Sequence, residues 1–265
     1  MTRLSNPFLG TKYGERTLIS ISASMLAGRA PISITFKEIR DVLYIDLNRL
    51  IRALEIYLSN YVEKLPCRFI SPDIKKINFD KILSFNYTNT FIRLYDLKQK
   101  IEYDYIHGKS DLSHSIDTNN MVLGIDEYLA PERKDKDVEF IAFKKFYQRI
   151  HKETGCKYKE WVDVIKKDAN KKSGWIYDNK DHSKDYWHYV YIFGHSLDVT
   201  DKDILREVML NDNVYTTIFY FDKDAHGQQI ANLVKVIGQD ELIKRTGGST
   251  KTVEFKLQKD MQPVE

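Results

Sequence analysis

The residues whose types and spacing could do chemistry are concentrated between positions 81 and 108. The stretch KILSFNYTNTFIRLYD (81–96) opens with a short apolar run, Ile82, Leu83 and Phe85, and turns abruptly polar at Asn86, Thr88, Asn89 and Thr90. A second run, Tyr103, Tyr105 and Ile106, ends in His107-Gly108. Two strand-like segments that each finish in a polar side chain point to a site at the carboxyl edge of a sheet, where open α/β folds bind ligands. A His at a strand end can serve as a general base near neutral pH. An Asn amide can orient a water or a ribose hydroxyl. Each residue also has a structural alternative: Asn86 as a turn former, His107 as a hydrogen-bonded, half-buried ring. Their shared strand-end context favours a functional pair.

A second constellation is Gly194-His195-Ser196-Leu197-Asp198, directly after YWHYVYIF (186–193). It nearly matches the nucleophile elbow G-x-S-x-G in the correct strand-to-helix context. Asp198 stands where the second glycine should permit close strand–helix approach. The remaining triad candidates, Asp222 and His226, sit four residues apart just past a strand, whereas hydrolase triads draw their members from separate loops. The same turn read as a ligand site presents free N–H groups and the Ser196 hydroxyl, which suits a phosphate or a ribose. Asp201 either accepts from a ligand hydroxyl or caps the following helix, and capping is the better reading of Asp201 alone. His182 and His188 have no partner at zinc spacing, so no metal is expected.

These residues must be held by a regular framework. The chain has 265 residues, 42% hydrophobic and 30% charged, an ordinary globular balance. Lys plus Arg is 41 and Asp plus Glu is 38, so 41 − 38 gives a net charge of +3. That is too weak a bias to argue for nucleic acid or an anionic membrane. No apolar run approaches the ~20 residues that span a bilayer. The segment TLISISASMLAGRA (17–30) is diluted by serines and follows the charged KYGER, unlike a signal peptide. Cys67 and Cys156 form no CxxC pair, and a reduced cytoplasmic setting with both as packing residues fits.

Residues 1–40 are poorly patterned, apart from an alternation over 19–25 that predicts a half-buried strand. Over 36–65, Leu43, Leu47, Leu50, Leu54, Leu58, Tyr61 and Leu65 form one apolar stripe of a long helix, with Arg49, Arg52 and Glu55 opposite and Pro66 closing it. Strand 81–85 leads to a short helix (90–97), capped by Thr88 or Asn89. Strand 103–106 follows, then a polar loop (110–120), a short apolar run (121–123) and Gly124-Ile125-Asp126. PERKDKD (131–137) reads as a solvated loop. A second amphipathic helix covers 138–151, its stripe set by Phe140, Phe143, Tyr147 and Ile150. Residues 157–185 are Lys-rich, and 166–185 read as a mobile insertion. Strand 186–193, helix 201–210, strand 214–221 and helix 225–238 complete the rhythm of a parallel sheet covered by helices. The segment 252–257 is a small terminal strand. The expected architecture is one α/β domain over 1–265: a parallel-sheet, Rossmann-like core with helices on both faces and a helical insertion.

Five motifs in order, SFNYTNT (84–90), YIHG (105–108), LGID (123–126), FKKFYQRIHKETG (143–155) and YIFGHSLDVTD (191–201), together resemble the AbiH family of bacteriophage abortive-infection proteins over roughly residues 41–240. The helix over 46–62 is similar to the one preceding the FNYT motif in that family. The resemblance implies a sirtuin-like, NAD-binding fold. Asn86 and His107 would flank the nicotinamide ribose as catalytic residues. Gly194, Ser196 and Asp201 would bind the nucleotide, with Thr88, Gly108, Gly124, Asp126 and His195 completing the contacts. The glycine-rich turn GNGFD that opens the family has no match in residues 1–40, and SNPFLG (5–10) lacks its paired glycines. The chain therefore resembles an N-terminally truncated or diverged member. The implied function is a cytoplasmic antiphage protein that cleaves NAD at the nicotinamide–ribose bond. The competing expectation is a non-catalytic module that senses a nucleotide or phage component, or pairs with itself or another protein through the 43–65 helix and the Lys-rich segment.

Overall fold

A computed structural model describes residues 11–13, 16–18, 36–125, 138, 140–174, 187–248 and 251–264. The chain divides into two units, Met1–Leu43 and Tyr44–Glu265. In the first, β1 (Thr11–Tyr13) and β2 (Arg16–Leu18) pair antiparallel. The strand expected over 19–25 lies outside the described residues.

The second unit is mixed α/β, built on parallel strands. β4 (Lys81–Ser84) and β5 (Glu102–Tyr105) pair parallel, joined through α3 (Thr90–Tyr95). β6 (His188–Ile192), β7 (Val214–Tyr220) and β8 (Val253–Leu257) form a three-stranded parallel sheet. Their crossovers carry α6 (Lys202–Met209), then α7 (Lys223–Ile237) and α8 (Gln239–Thr246). Parallel strands need such crossovers because a tight hairpin can only reverse the chain. The segment 252–257, expected as a small terminal strand, pairs with β7 along its length. A short antiparallel pair, β3 (Phe69–Ile70) with β9 (Gln262–Pro263), sits apart.

Two apolar cores hold these layers. One gathers Leu197, Leu205, Met209, Ile218, Leu233, Val236, Leu242 and Val253 from the three-stranded sheet and its helices. The other joins Ile106 to Tyr158 and Val162 of α5 (Tyr158–Gly174) and Ile204 of α6. Helix α5 is pinned to β5 by a buried carboxylate: the Tyr158 N–H donates to Asp104 at 2.8 Å. This helix runs through residues 166–174, which the Lys-rich composition presented as an insertion. Buried Tyr158, Val162 and Ile165 at helical spacing explain why the segment folds. Residues 175–186 lie outside the described part.

Two helices depart from their expected form. The long helix is α1 (Phe36–Tyr57) followed by a π-helical turn, Leu58–Val62. The face it buries carries Ile51, Glu55 and Ser59, whereas Leu50, Tyr61 and Leu65 of the leucine stripe are more than half exposed. Glu55 reverses the expectation because it collects four donors: Arg52, His114, Asn119 and the Asp111 N–H. A carboxylate that well satisfied can be buried. The second helix starts only at Lys145: α4 is Lys145–His151, preceded by a 3-10 turn, Ile141–Phe143. Lys144 between them is extended, because Ile125 pairs with it as a parallel bridge and exchanges hydrogen bonds with Phe143 O and the Lys145 N–H. Cys156 is exposed and Cys67 only half-buried, so neither is a core packing residue.

Candidate functional site

The site lies where β5 and β6 end. β5 runs out through Ile106 into His107 and Gly108. Gly108 has φ +77°, and a Cβ there would lie 2.1 Å from the Asn120 carbonyl oxygen. Only glycine fits so close a backbone approach. The Val122 N–H donates to His107 O at 2.8 Å, and the Lys109 N–H to Asn120 Oδ1 at 3.1 Å. His107 is thereby fixed, with 8% of its surface exposed.

Two residues past β6 stands Gly194, with φ +63° and open space around it, and the chain turns into His195. The Leu197 N–H donates to His195 Nδ1 at 2.9 Å. Leu197 is itself left-handed (φ 58°) and fully buried. A side chain in that conformation costs about 1–2 kcal/mol, offset here by its place in the larger core. Asp198 caps the next turn by accepting from the Thr200 N–H at 3.0 Å. That turn delivers Asp201 to the strand ends.

Asp201 is the centre of the constellation. Its Oδ1 lies 3.6 Å from His107 Nε2 and 3.6 Å from Lys145 Nζ, and its Oδ2 lies 3.6 Å from His195 Nε2. It stands at the N-cap position of α6 but makes no capping bond with its side chain, so capping is not what the carboxylate does. The Phe85 ring lies between the two imidazoles, with centroids 5.9 Å from His107 and 4.3 Å from His195. Because His195 Nδ1 accepts from Leu197, the neutral ring carries its proton on Nε2, directed at Asp201. His107 has no such donor, but the nearby carboxylate favours its proton on Nε2, which leaves Nδ1 as a lone pair. That Nδ1 is buried without a hydrogen-bond partner among the described residues.

Electrostatics follow from this geometry. Burial first, then the Lys145 charge, push His107 down to about 4, against the opposing pull of Asp201. It is uncharged at neutral pH. Burial works to raise the Asp201 carboxyl, but His195, Lys145 and His107 more than offset it and hold it below its ordinary value. A cleft of about 200 Å³ opens beside these groups, lined by His107, Lys145, Phe146, Arg149, Thr200 and Asp201 among others. A larger cleft of about 380 Å³, lined mainly by Ile70, Ile74, Phe79, Leu94 and Tyr95, contains no acid–base pair. The chemistry therefore points to the smaller one. Among the described residues no cluster of His, Cys, Asp and Glu could hold a metal ion.

The structure brings His107, His195 and Asp201 together. Asn86 is exposed, and its backbone is tied to the Ser84 hydroxyl. Its neighbours Phe85 and Tyr87 touch the His107 ring, while its own side chain makes no hydrogen bond among the described residues. Thr88 bonds Thr90 at 3.0 Å. Asn89 stands at the N-cap of α3 without capping it. Gly124 is a packing residue: a Cβ there would lie 2.6 Å from Phe143 O. Ser196 is exposed at the turn, and its carbonyl accepts from Asn232. Asp126 lies outside the described residues. The hydrolase alternative is not assembled, since Asp222 caps α7 through the Ala225 N–H and His226 stacks on Tyr220 at 4.3 Å. Sequence reading singled out neither Lys145 nor Arg149. Both lie within the motif FKKFYQRIHKETG (143–155), and their four-residue spacing, which puts two cations on one helix face, was the further mark.

Fold and site together define a mixed α/β protein with an ionised carboxylate held between two histidines at the ends of parallel strands. The family described as bacteriophage abortive infection AbiH matches residues 31–222. The chain belongs to the AbiH family. No curated protein and no solved structure matches it. Among the described residues, no helix is long and apolar enough to cross a membrane.

Proposed function

We propose that this AbiH protein acts in abortive infection by binding NAD in the His107–Asp201 cleft and cleaving its nicotinamide–ribose bond. Parallel strands, helical crossovers and a site at the strand ends support a Rossmann-like, sirtuin-like reading of the core. The observation that carries the chemistry is the unpartnered Nδ1 of His107, on a ring whose Nε2 faces Asp201. Such a ring is poised to accept a proton from water or a ribose hydroxyl. The C1′–N bond breaks with its electron pair passing to nicotinamide, which leaves neutral. Water then bonds to C1′, and its proton passes to His107. The products are nicotinamide, ADP-ribose and one proton. The Asp201 charge favours the His107 proton on Nε2 and places negative charge near the cationic sugar of the transition state. Gly194 and Ser196, at the open turn beside His195, suit the nucleotide. Asn86 would join by positioning water once a ligand covers it. The cytoplasm, where NAD is abundant, is the setting this reading requires.

The test is nicotinamide release from NAD by purified protein, alone and with extract of phage-infected cells, followed by chromatography. Wild type should release it, and His107→Ala and Asp201→Asn should each slow release about 100-fold or more. No release under either condition, together with no heat on titrating NAD or ADP-ribose, overturns the proposal. That outcome favours a protein-interaction module, for which the exposed Leu50, Tyr57, Tyr61 and Leu65 of the long helix and its extension provide the surface.

A further inference from the structure

We infer that the ligand of this cleft is a sugar phosphate, held by Arg149 and Lys145 at its phosphate and by His107 Nδ1 at an adjoining hydroxyl. This rests on the reading of the cleft as a nucleotide site, but not on cleavage. Two buried polar atoms on residues that line the cleft lack partners among the described residues, His107 Nδ1 and Arg149 Nε. Each such orphan carries a desolvation penalty unless a ligand or water meets it. The two are opposite in kind. Arg149 Nε can only donate, and His107 Nδ1, with its proton on Nε2, can only accept. A ligand that answers both must offer an acceptor oxygen and a hydroxyl.

The surroundings say which acceptor. Arg149 is anchored at one end of its guanidinium, which leaves donors on Nη1 and Nε. Its Nη2 donates to Gly155 O, its Nη1 lies 4.0 Å from Asp203, and the group sits 5.7 Å from the Tyr158 ring. Lys145, four residues earlier on α4, contacts Asp201 only at 3.6 Å, beyond hydrogen-bond length. Its ammonium keeps donors for an anion. A guanidinium and an ammonium one turn apart form an anion clamp. The volume, about 200 Å³, is below the ~300–1,000 Å³ of sites for drug-sized ligands. It fits one sugar phosphate of a dinucleotide, with the remainder outside.

The experiment is isothermal titration of the full chain with ribose 5-phosphate and with ribose. Ribose 5-phosphate should bind at least about 10-fold more tightly, with the advantage shrinking as salt rises. Arg149→Met and Lys145→Met should each remove most of that advantage. If Arg149→Met melts early because Gly155 O loses its donor, the a quarter-exposed Lys145 carries the test. Equal affinity for the two ligands, or a phosphate advantage that survives both variants, overturns the inference. The pattern with no nicotinamide release leaves a sugar-phosphate site without NAD cleavage. Release with a KM for NAD insensitive to both variants leaves cleavage without this subsite.

Discussion

Replacing Glu55 by Ala should destabilise the protein by about 4 kcal/mol, although Glu55 lies on a helix face that composition marks as solvated. The side chain is fully buried. Its carboxylate meets Arg52 Nη1 at 2.5 Å, Asn119 Nδ2 at 2.5 Å, His114 Nδ1 at 2.7 Å and the Asp111 N–H at 3.1 Å. Truncation leaves the Arg52 charge and three donors without their acceptor. Single charge-assisted bonds contribute about 1.5–3 kcal/mol and do not add, while breaking a buried ion pair costs about 3–5 kcal/mol, so about 4 is the central figure. At roughly 2–4 °C per kcal/mol for a large domain, the melting temperature should fall by about 8–16 °C. Glu55→Gln keeps one acceptor oxygen and should lose about half as much. The effect should reach the site, because the 110–120 loop that Glu55 holds places Asn120 against Gly108. Amide exchange at Val122, whose N–H donates to His107 O, should accelerate in Glu55→Ala. Circular dichroism melts and exchange measurements decide it. A fall under about 3 °C would refute the claim that this carboxylate anchors the loop.

Other expectations separate neighbouring effects. Gly108→Ala should destabilise by about 3 kcal/mol or more, since the added carbon collides with the Asn120 carbonyl. Gly194→Ala, with similar φ but open space, should cost only the conformational preference of about 1–2 kcal/mol; urea denaturation giving equal losses would contradict this. Glu102 is bonded to Lys157 at 2.7 Å and Lys81 at 2.5 Å, which hold its carboxyl down at about 2. The stability it contributes is complete above pH 4.5 and lost as pH falls towards 2. A carboxyl NMR titration should find that midpoint, and Lys157→Met should raise it. His107 should stay neutral down to about pH 4 by imidazole NMR. The unfolded chain protonates nearer 6.5, so stability should decline between pH 6.5 and 4 and be whole above. His107→Gln should flatten that segment of the pH–stability curve. A folded-state midpoint near 6.5 would show that burial does not lower the basicity of His107.

What the sequence made legible was the chain's rhythm and the places where strands stop. An apolar run that halts at a polar residue is a local event, and so His107, the Gly194–His195 turn and Asp201 could be marked before any of them was placed. Their convergence could not be read, because it depends on β5 and β6 ending side by side, and neither strand encodes the other's position. Glu55 is harder still. Periodicity assigns a face by counting leucines, but the buried face is settled by donors on a loop more than fifty residues away, which together outbid the apolar alternative. The start of α4 has the same origin. Its sequence runs on helically from 138, yet pairing between Ile125 and Lys144 draws the chain out straight, and this defers the helix to Lys145. That deferral puts Lys145 and Arg149 on the turns facing Asp201. A bridge of one residue pair therefore sets the cationic side of the cleft, and Ile125→Pro, which removes the N–H given to Phe143 O and alters an apolar residue of the cleft lining, should weaken ribose 5-phosphate binding. Retained binding in a folded Ile125→Pro protein would show that α4 holds its position by packing alone.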